Sequence, residues 1–170
     1  MAQKKTIIIG ASSGIGREIA IRYAAAGHKV GITGRRESLL IELKQKFPEN
    51  ICTSCFDVMQ YNSRERIDTL IDELGGLDIL LYNSGYGDPS LELKWEVENQ
   101  TTSTNVNGFV DIVSCVFNYF VKHGYGQIAL TSSVAAVRGN GWAPSYSASK
   151  AFMSNYAKGL SIKASKLKKI

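Results

Sequence analysis

A tyrosine and a lysine four residues apart, in Tyr146-Ser147-Ala148-Ser149-Lys150, are the pair in this chain best suited to proton chemistry. On a helix, residues four apart share a face at about 5–6 Å, so a phenol and an ammonium project into one space. A phenol titrating at ~10 is a poor acid or base at neutral pH, and a neighbouring cation favours the phenolate and brings it toward the working range. Alone the spacing is weak, because Tyr-x-x-x-Lys occurs by chance in many sequences. Other polar groups stand where such a pair could use them. Ser132 and Ser133 close an apolar run over residues 127–131, and Asn105 and Asn107 lie in Thr101-Thr102-Ser103-Thr104-Asn105-Val106-Asn107-Gly108, inside a helical pattern. Hydroxyls, amides and a glycine are unfavourable there, so either the helix breaks or polar groups are required at that place.

A second constellation binds rather than reacts. The run Thr6-Ile7-Ile8-Ile9 leads into Gly10-Ala11-Ser12-Ser13-Gly14-Ile15-Gly16 and then into a helical period ending at Gly27. Strand, glycine-rich turn and helix form a phosphate-binding arrangement: Gly10 permits the tight turn, Gly14 the approach of a pyrophosphate to backbone, and Gly16 close packing of helix on strand. The spacing is Gly-x-x-x-Gly-x-Gly, not the commoner Gly-x-Gly-x-x-Gly. The alternative is a βα turn that binds nothing. An acidic residue for the ribose 2′-hydroxyl is expected about twenty residues further on, at the end of the next strand. That strand, residues 30–33, ends instead in Gly34-Arg35-Arg36. Arg35 is a planar cation suited to a 2′-phosphate, which points to NADP (NADPH); the alternative for both arginines is a solvated helix start.

These groups need a frame. Apolar runs at 6–9, 30–33, 51–56, 77–82 and 127–131 read as buried parallel strands. Helical patterns separate them at 17–26, 37–46, 63–74 and 94–121, and a last helix runs from Tyr146 to about Lys166. The expected fold is α/β, a doubly wound mostly parallel Rossmann-type sheet with helices on both faces. Asp57 closes the third strand, where it could accept from an adenine amino group or cap the next turn. Asn83 and Gly85 sit in the turn after the fourth. The stripe Val110, Val113, Phe117, Phe120 suits a core or a subunit interface. Trp142 suits either a pocket wall or surface packing.

Composition narrows the classes. The 170 residues are 44% hydrophobic and 21% charged, as in ordinary globular proteins. Net charge is +5, but much of the excess is in Lys158, Lys163, Lys166, Lys168 and Lys169, with few aromatics among them, which favours a solvated helix end over nucleic-acid binding. Cys52-x-x-Cys55 lies in a strand-like run rather than at a helix start, so half-buried thiols are expected rather than a redox pair. The apolar segment after Lys5 is too short for a signal core or a membrane span, and a cytoplasmic protein is expected.

Taken in order, these motifs resemble the non-extended branch of the short-chain dehydrogenase/reductase family. The glycines Gly10, Gly14 and Gly16, the turn Asn83-Ser84-Gly85, Asn105 in Asn-x-x-Gly, Ser133 thirteen positions before Tyr146, and Lys150 are all present. The resemblance runs from about residue 4 to the end. It implies hydride transfer between NADP and a small-molecule carbonyl or secondary alcohol, without a metal. Tyr146 is then the general acid or base, Lys150 holds the nicotinamide ribose and lowers the tyrosine pKa, Ser133 polarises the carbonyl, and Asn105 interrupts the helix and positions a water near the lysine. The spacing favours Ser133 and Asn105 over their neighbours Ser132 and Asn107. On the cofactor side the resemblance assigns Gly10, Ser12, Ser13, Gly14, Ile15, Gly16, Arg35, Asp57, Asn83, Gly85, Tyr146 and Lys150. A homodimer or homotetramer, no nucleic acid and no membrane complete the expectation. Family members usually continue further, with a sixth strand, a Pro-Gly turn, a substrate loop and a seventh strand, so residues 1–170 read as one dinucleotide-binding catalytic domain lacking its last strands. The alternative is a non-catalytic NADP-binding module, serving as a redox sensor or partner subunit.

Overall fold

In the computed structural model, which describes residues 2–167, strand β1 (Lys5–Ile9) lies at the centre of a five-stranded sheet. Its neighbours are β2 (Lys29–Gly34) and β4 (Ile79–Tyr82), with β3 (Ile51–Cys55) and β5 (Gln127–Leu130) at the edges, and every pairing is parallel. The β-branched run of β1 explains its place, because side chains that alternate to both faces must be apolar when both faces are covered. Ile7 and Ile9 enter one core, with residues of α3 (Ser63–Leu74), α5 (Gly108–His123) and α6 (Pro144–Leu167). Ile8 enters the other, with α1 (Gly14–Ala25) and α2 (Glu37–Lys46). The sheet is therefore doubly wound, as expected.

Local departures from the expected elements have physical causes. The pattern over 94–121 is one helical path whose polar middle forms a π-helical turn, Ser103–Asn107, between α4 (Trp95–Thr102) and α5. A π turn inserts one residue into the helix and re-aims its side chains. The helix neither breaks nor carries its polar groups idly, because Thr101 and Thr102 return their hydroxyls to carbonyls one turn back and Asn105 is fully buried. Gly108 lets the path resume against Val58, where an added Cβ would meet a methyl at 2.8 Å.

Val113, Phe117 and Phe120 are buried within the chain's own core, with Val110 packed against it. Cys52 faces one core and Cys55 the other, opposite faces of β3, and both thiols are free. Trp142 is exposed. Lys158, Lys163 and Lys166 are exposed on α6, while Lys168 and Lys169 lie outside the described residues. Among the described residues no helix is long and apolar enough to cross a membrane.

Candidate active site

The carboxyl ends of the strands open on one groove made of two hollows that share Ser13, Asn83, Gly85 and Tyr86. The first is lined further by Gly10, Ser12, Gly34, Arg35, Arg36 and Asp57. The second is lined by Gly14, Ile15, Thr131, Ser132, Tyr146 and Lys150. Such a crevice outside the strand ends is where open α/β sheets hold ligands.

Backbone shape makes the first hollow. Gly10 (φ 85°) and Gly14 (φ 59°) adopt left-handed conformations that side chains disfavour. A Cβ on Gly10 would also come within 2.8 Å of the Ser84 backbone. Gly16 packs against the Gly10 carbonyl so closely that a Cβ would collide with it. The first N–H groups of α1 have no partner within the helix, and Gly14 and Ile15 bring that end to the groove. Arg35 and Asp57 form an ion pair at 3.5 Å, while Asp57 Oδ1 accepts the Met59 N–H at 3.0 Å. The carboxylate therefore caps a turn and lines the hollow at once.

Buried side chains make the second. Lys150 is 4% exposed and donates from Nζ to the Thr131 carbonyl at 2.9 Å; its Nζ lies 5.8 Å from the centre of the Tyr146 ring. Burial lowers the Lys150 pKa below an ordinary lysine's. Gly85 makes room for this ammonium, since a Cβ there would sit 3.2 Å from Nζ. Gly87 likewise gives way to the Tyr146 ring, which a Cβ would strike. Asn105 Oδ1 accepts the Tyr86 N–H at 2.8 Å, and its Nδ2 donates to the Tyr86 carbonyl at 2.7 Å and to Ser149 Oγ at 2.9 Å. Ser149 donates in turn to the Tyr146 carbonyl at 2.8 Å. The amide thus holds the β4–α4 loop against the turn of α6 that carries the phenol.

The two serines divide. Ser132 lines the hollow and its hydroxyl is paired with that of Ser154 at 2.6 Å. Ser133 is absent from that lining; its Oγ accepts the Ala135 N–H at 3.1 Å and starts a short 3-10 turn, Val134–Ala136. Of the expected residues, Tyr146, Lys150 and the glycine turn share the groove, Asn105 stands behind its wall, and Ser133 is one residue beyond its rim.

Residues 4–168 match the family model described as short chain dehydrogenase. The chain belongs to the short chain dehydrogenase family. An uncharacterized oxidoreductase of Myxococcus xanthus is 34% identical over 168 residues, which cover 95% of this chain and 66% of that protein. An NADP-dependent 3-hydroxy acid dehydrogenase of Escherichia coli is 30% identical over 155 residues, covering 89% of this chain and 62% of that one. The crystal structure of a 3-ketoacyl-(acyl-carrier-protein) reductase from Brucella melitensis, complexed with NADH, is similar at a TM-score of 0.90 and 25% identity, covering 97% of this chain and 71% of that chain. The chain therefore spans less than two thirds of the length of the two curated relatives, at 66% and 62%.

Two residues of this family member escaped the reading of its sequence. Arg36 donates to Ser12 Oγ at 2.9 Å and to Ser13 Oγ at 2.5 Å, which bridges β2 to the glycine turn. The signal was there in the consecutive arginines, of which only the first was assigned a role. Thr131 holds Lys150 through its carbonyl, and backbone acceptors leave no mark in sequence.

Proposed function

We propose that this protein is an NADP-dependent oxidoreductase that interconverts a carbonyl and a secondary alcohol, with Tyr146 as general acid and base. The observation that carries the reading is the shared groove: a buried Lys150 beside the Tyr146 ring opens into the glycine turn through Ser13, Asn83 and Gly85. The residues present suit a dinucleotide. Gly10, Ser12, Ser13, Gly14, Ile15 and Gly16 would cradle its pyrophosphate, and Asp57, Asn83 and Gly85 would flank the adenosine half. Two exposed arginines at the end of β2, with no carboxylate in the position expected for an NAD enzyme, favour a 2′-phosphate. The E. coli relative is an NADP-dependent dehydrogenase, whereas the Brucella reductase was crystallised with NADH. The choice between the two cofactors therefore rests on Arg35 and Arg36.

The bound cofactor supplies or accepts the hydride. Tyr146 gives its phenolic proton to the carbonyl oxygen during reduction and takes the hydroxyl proton in the reverse direction. Lys150 spends one ammonium N–H on Thr131, leaving two for a ribose hydroxyl and the phenol side of the site. Ser133 polarises the carbonyl. Its oxygen accepts from Ala135 but its own O–H has no acceptor among the described bonds, while the Ser132 hydroxyl is tied to Ser154. Asn105 keeps the loop and the phenol in register. Assembly into a homodimer or homotetramer and a cytoplasmic location belong to the same reading.

The test is NADPH consumption against a panel of aldehydes and ketones, comparing the parent with Tyr146→Phe. Turnover should fall by roughly 10²–10⁴, the usual contribution of a positioned proton donor, with NADPH binding retained. Undiminished turnover in the variant would remove Tyr146 from the mechanism. NADPH binding with no turnover of any carbonyl by the parent would favour the dinucleotide-binding module instead.

A further inference from the structure

Three strands end side by side beneath the groove, and the residues just beyond them are joined by side chains that take no part in the proposed proton transfer. Ile9 is opposite Tyr82 and Tyr82 opposite Leu130, so Gly10, Asn83 and Thr131 form a row across β1, β4 and β5. Thr131 Oγ1 donates to Asn83 Oδ1 at 2.8 Å, and Asn83 Nδ2 donates to the Gly10 carbonyl at 3.0 Å. At the far end of the row the Thr131 carbonyl accepts from Lys150 Nζ at 2.9 Å.

We propose that Thr131 is a positioning residue: its hydroxyl locks the carbonyl that holds the Lys150 ammonium and ties that ammonium, through Asn83, to the glycine turn. The inference rests on the oxidoreductase reading for its catalytic consequence and on geometry alone for the tether. Among the described residues no carboxylate pairs with Lys150, and the only ionisable group seen against it is the Tyr146 phenol. The Thr131 carbonyl is then the fixed acceptor that sets where the charge sits. Asn83 has one end on Thr131 and the other on Gly10. Removing the hydroxyl leaves Asn83 Oδ1 without that donor in a part-buried position and frees the amide to turn away from Gly10. The row thus couples the half of the groove that takes the pyrophosphate to the half that moves the proton.

Thr131→Val keeps the branched shape and deletes the hydroxyl, and Thr131→Ser restores it. In the intact protein, Thr131→Val should lower kcat about tenfold, as expected when a charged group beside the reacting atoms is misplaced, and should also raise the KM for NADPH and lower the melting temperature, because Asn83 loses its hold on Gly10. Thr131→Ser should recover the parental rate. Lys150 is followed independently of turnover by the 13Cε shift of labelled lysine, its resonance assigned as the one missing from Lys150→Arg. The carbonyl bond favours the ammonium, so the titration midpoint should move lower in Thr131→Val and return in Thr131→Ser. A parental midpoint in Thr131→Val, or a Ser variant as impaired as the Val variant, overturns the proposal. Should Thr131→Val fail to fold, Thr131→Ala is read in the same way. If the parent reduces no carbonyl, the oxidoreductase reading falls while the lysine titration still decides the tether.

Discussion

At the β1–β2 end of the groove, glycines shape the backbone and the Arg35 guanidinium stands in solvent, whereas at the β5–α6 end Asn105 and Lys150 are buried and bonded within the protein. The first region offers its ligand N–H groups, space and exposed charge. The second offers side chains whose directions are set by what they touch behind the site. The Arg35 guanidinium, exposed and held by one ion pair at 3.5 Å, can be lost with little consequence for the fold. A buried amide cannot, because each group it satisfied is left without a partner out of reach of water. Ligand binding and folding are thus separable at one end of the groove and tied together at the other.

The largest effect should come from the exposed end. Replacing Arg35 by alanine should weaken NADPH about tenfold to a hundredfold, the usual value of charge-assisted bonds to a phosphate, with NADH affinity and melting temperature almost unchanged. Titration of both cofactors by fluorescence would read it. Equal losses for NADPH and NADH would remove the 2′-phosphate assignment, and a large drop in melting temperature would erase the contrast between the two ends.

Asn105→Ala tests the buried end. It strands the Tyr86 N–H and carbonyl and the Ser149 hydroxyl, and it should cost about 1–3 kcal/mol in denaturant unfolding while also lowering turnover. A stable protein with slow turnover would mean that Asn105 acts on the chemistry alone and does not hold the loop.

The smallest effect is a pH dependence. Burial lowers the Lys150 pKa below the ordinary 10.5, so the folded protein releases this proton at a lower pH than the unfolded chain does. Between the two values the unfolded chain binds more protons, and stability rises with pH there; below the folded-state value the buried charge destabilises in full. Lys150→Met removes the charge. Its gain in stability over the parent should therefore be greatest near neutral pH and shrink as pH approaches 10.5, as urea midpoints would show. A gain independent of pH would mean that the ammonium is better solvated than its burial implies.

Much of the frame was legible because it is encoded locally. The apolar run of β1, the left-handed demand at Gly10 and Gly14, the helical periods and the four-residue step from Tyr146 to Lys150 depend on neighbours in the chain, and each stands where its spacing puts it. The order of the βα units carried the doubly wound sheet for the same reason, since consecutive parallel strands need crossovers that cover both faces. Asn105 was legible as a polar residue out of place, though its two possible explanations could not be told apart. The π turn resolved them by accommodating the polar groups without ending the helix, and it aimed Asn105 at Tyr86, a partner in another loop.

What only the tertiary structure decided is the cross-strand wiring. Arg36 on Ser12 and Ser13, Asn105 clamping Tyr86 to α6, and the row Gly10, Asn83, Thr131 ending on Lys150 join residues far apart in sequence. They meet because a parallel sheet sets neighbouring strand ends about 4.8 Å apart, whatever length of chain lies between them. The sequence alone determined which residues could do the chemistry, since residue type and spacing are local. Which of them point at one another follows from strand order and register, which exist only once the sheet has formed.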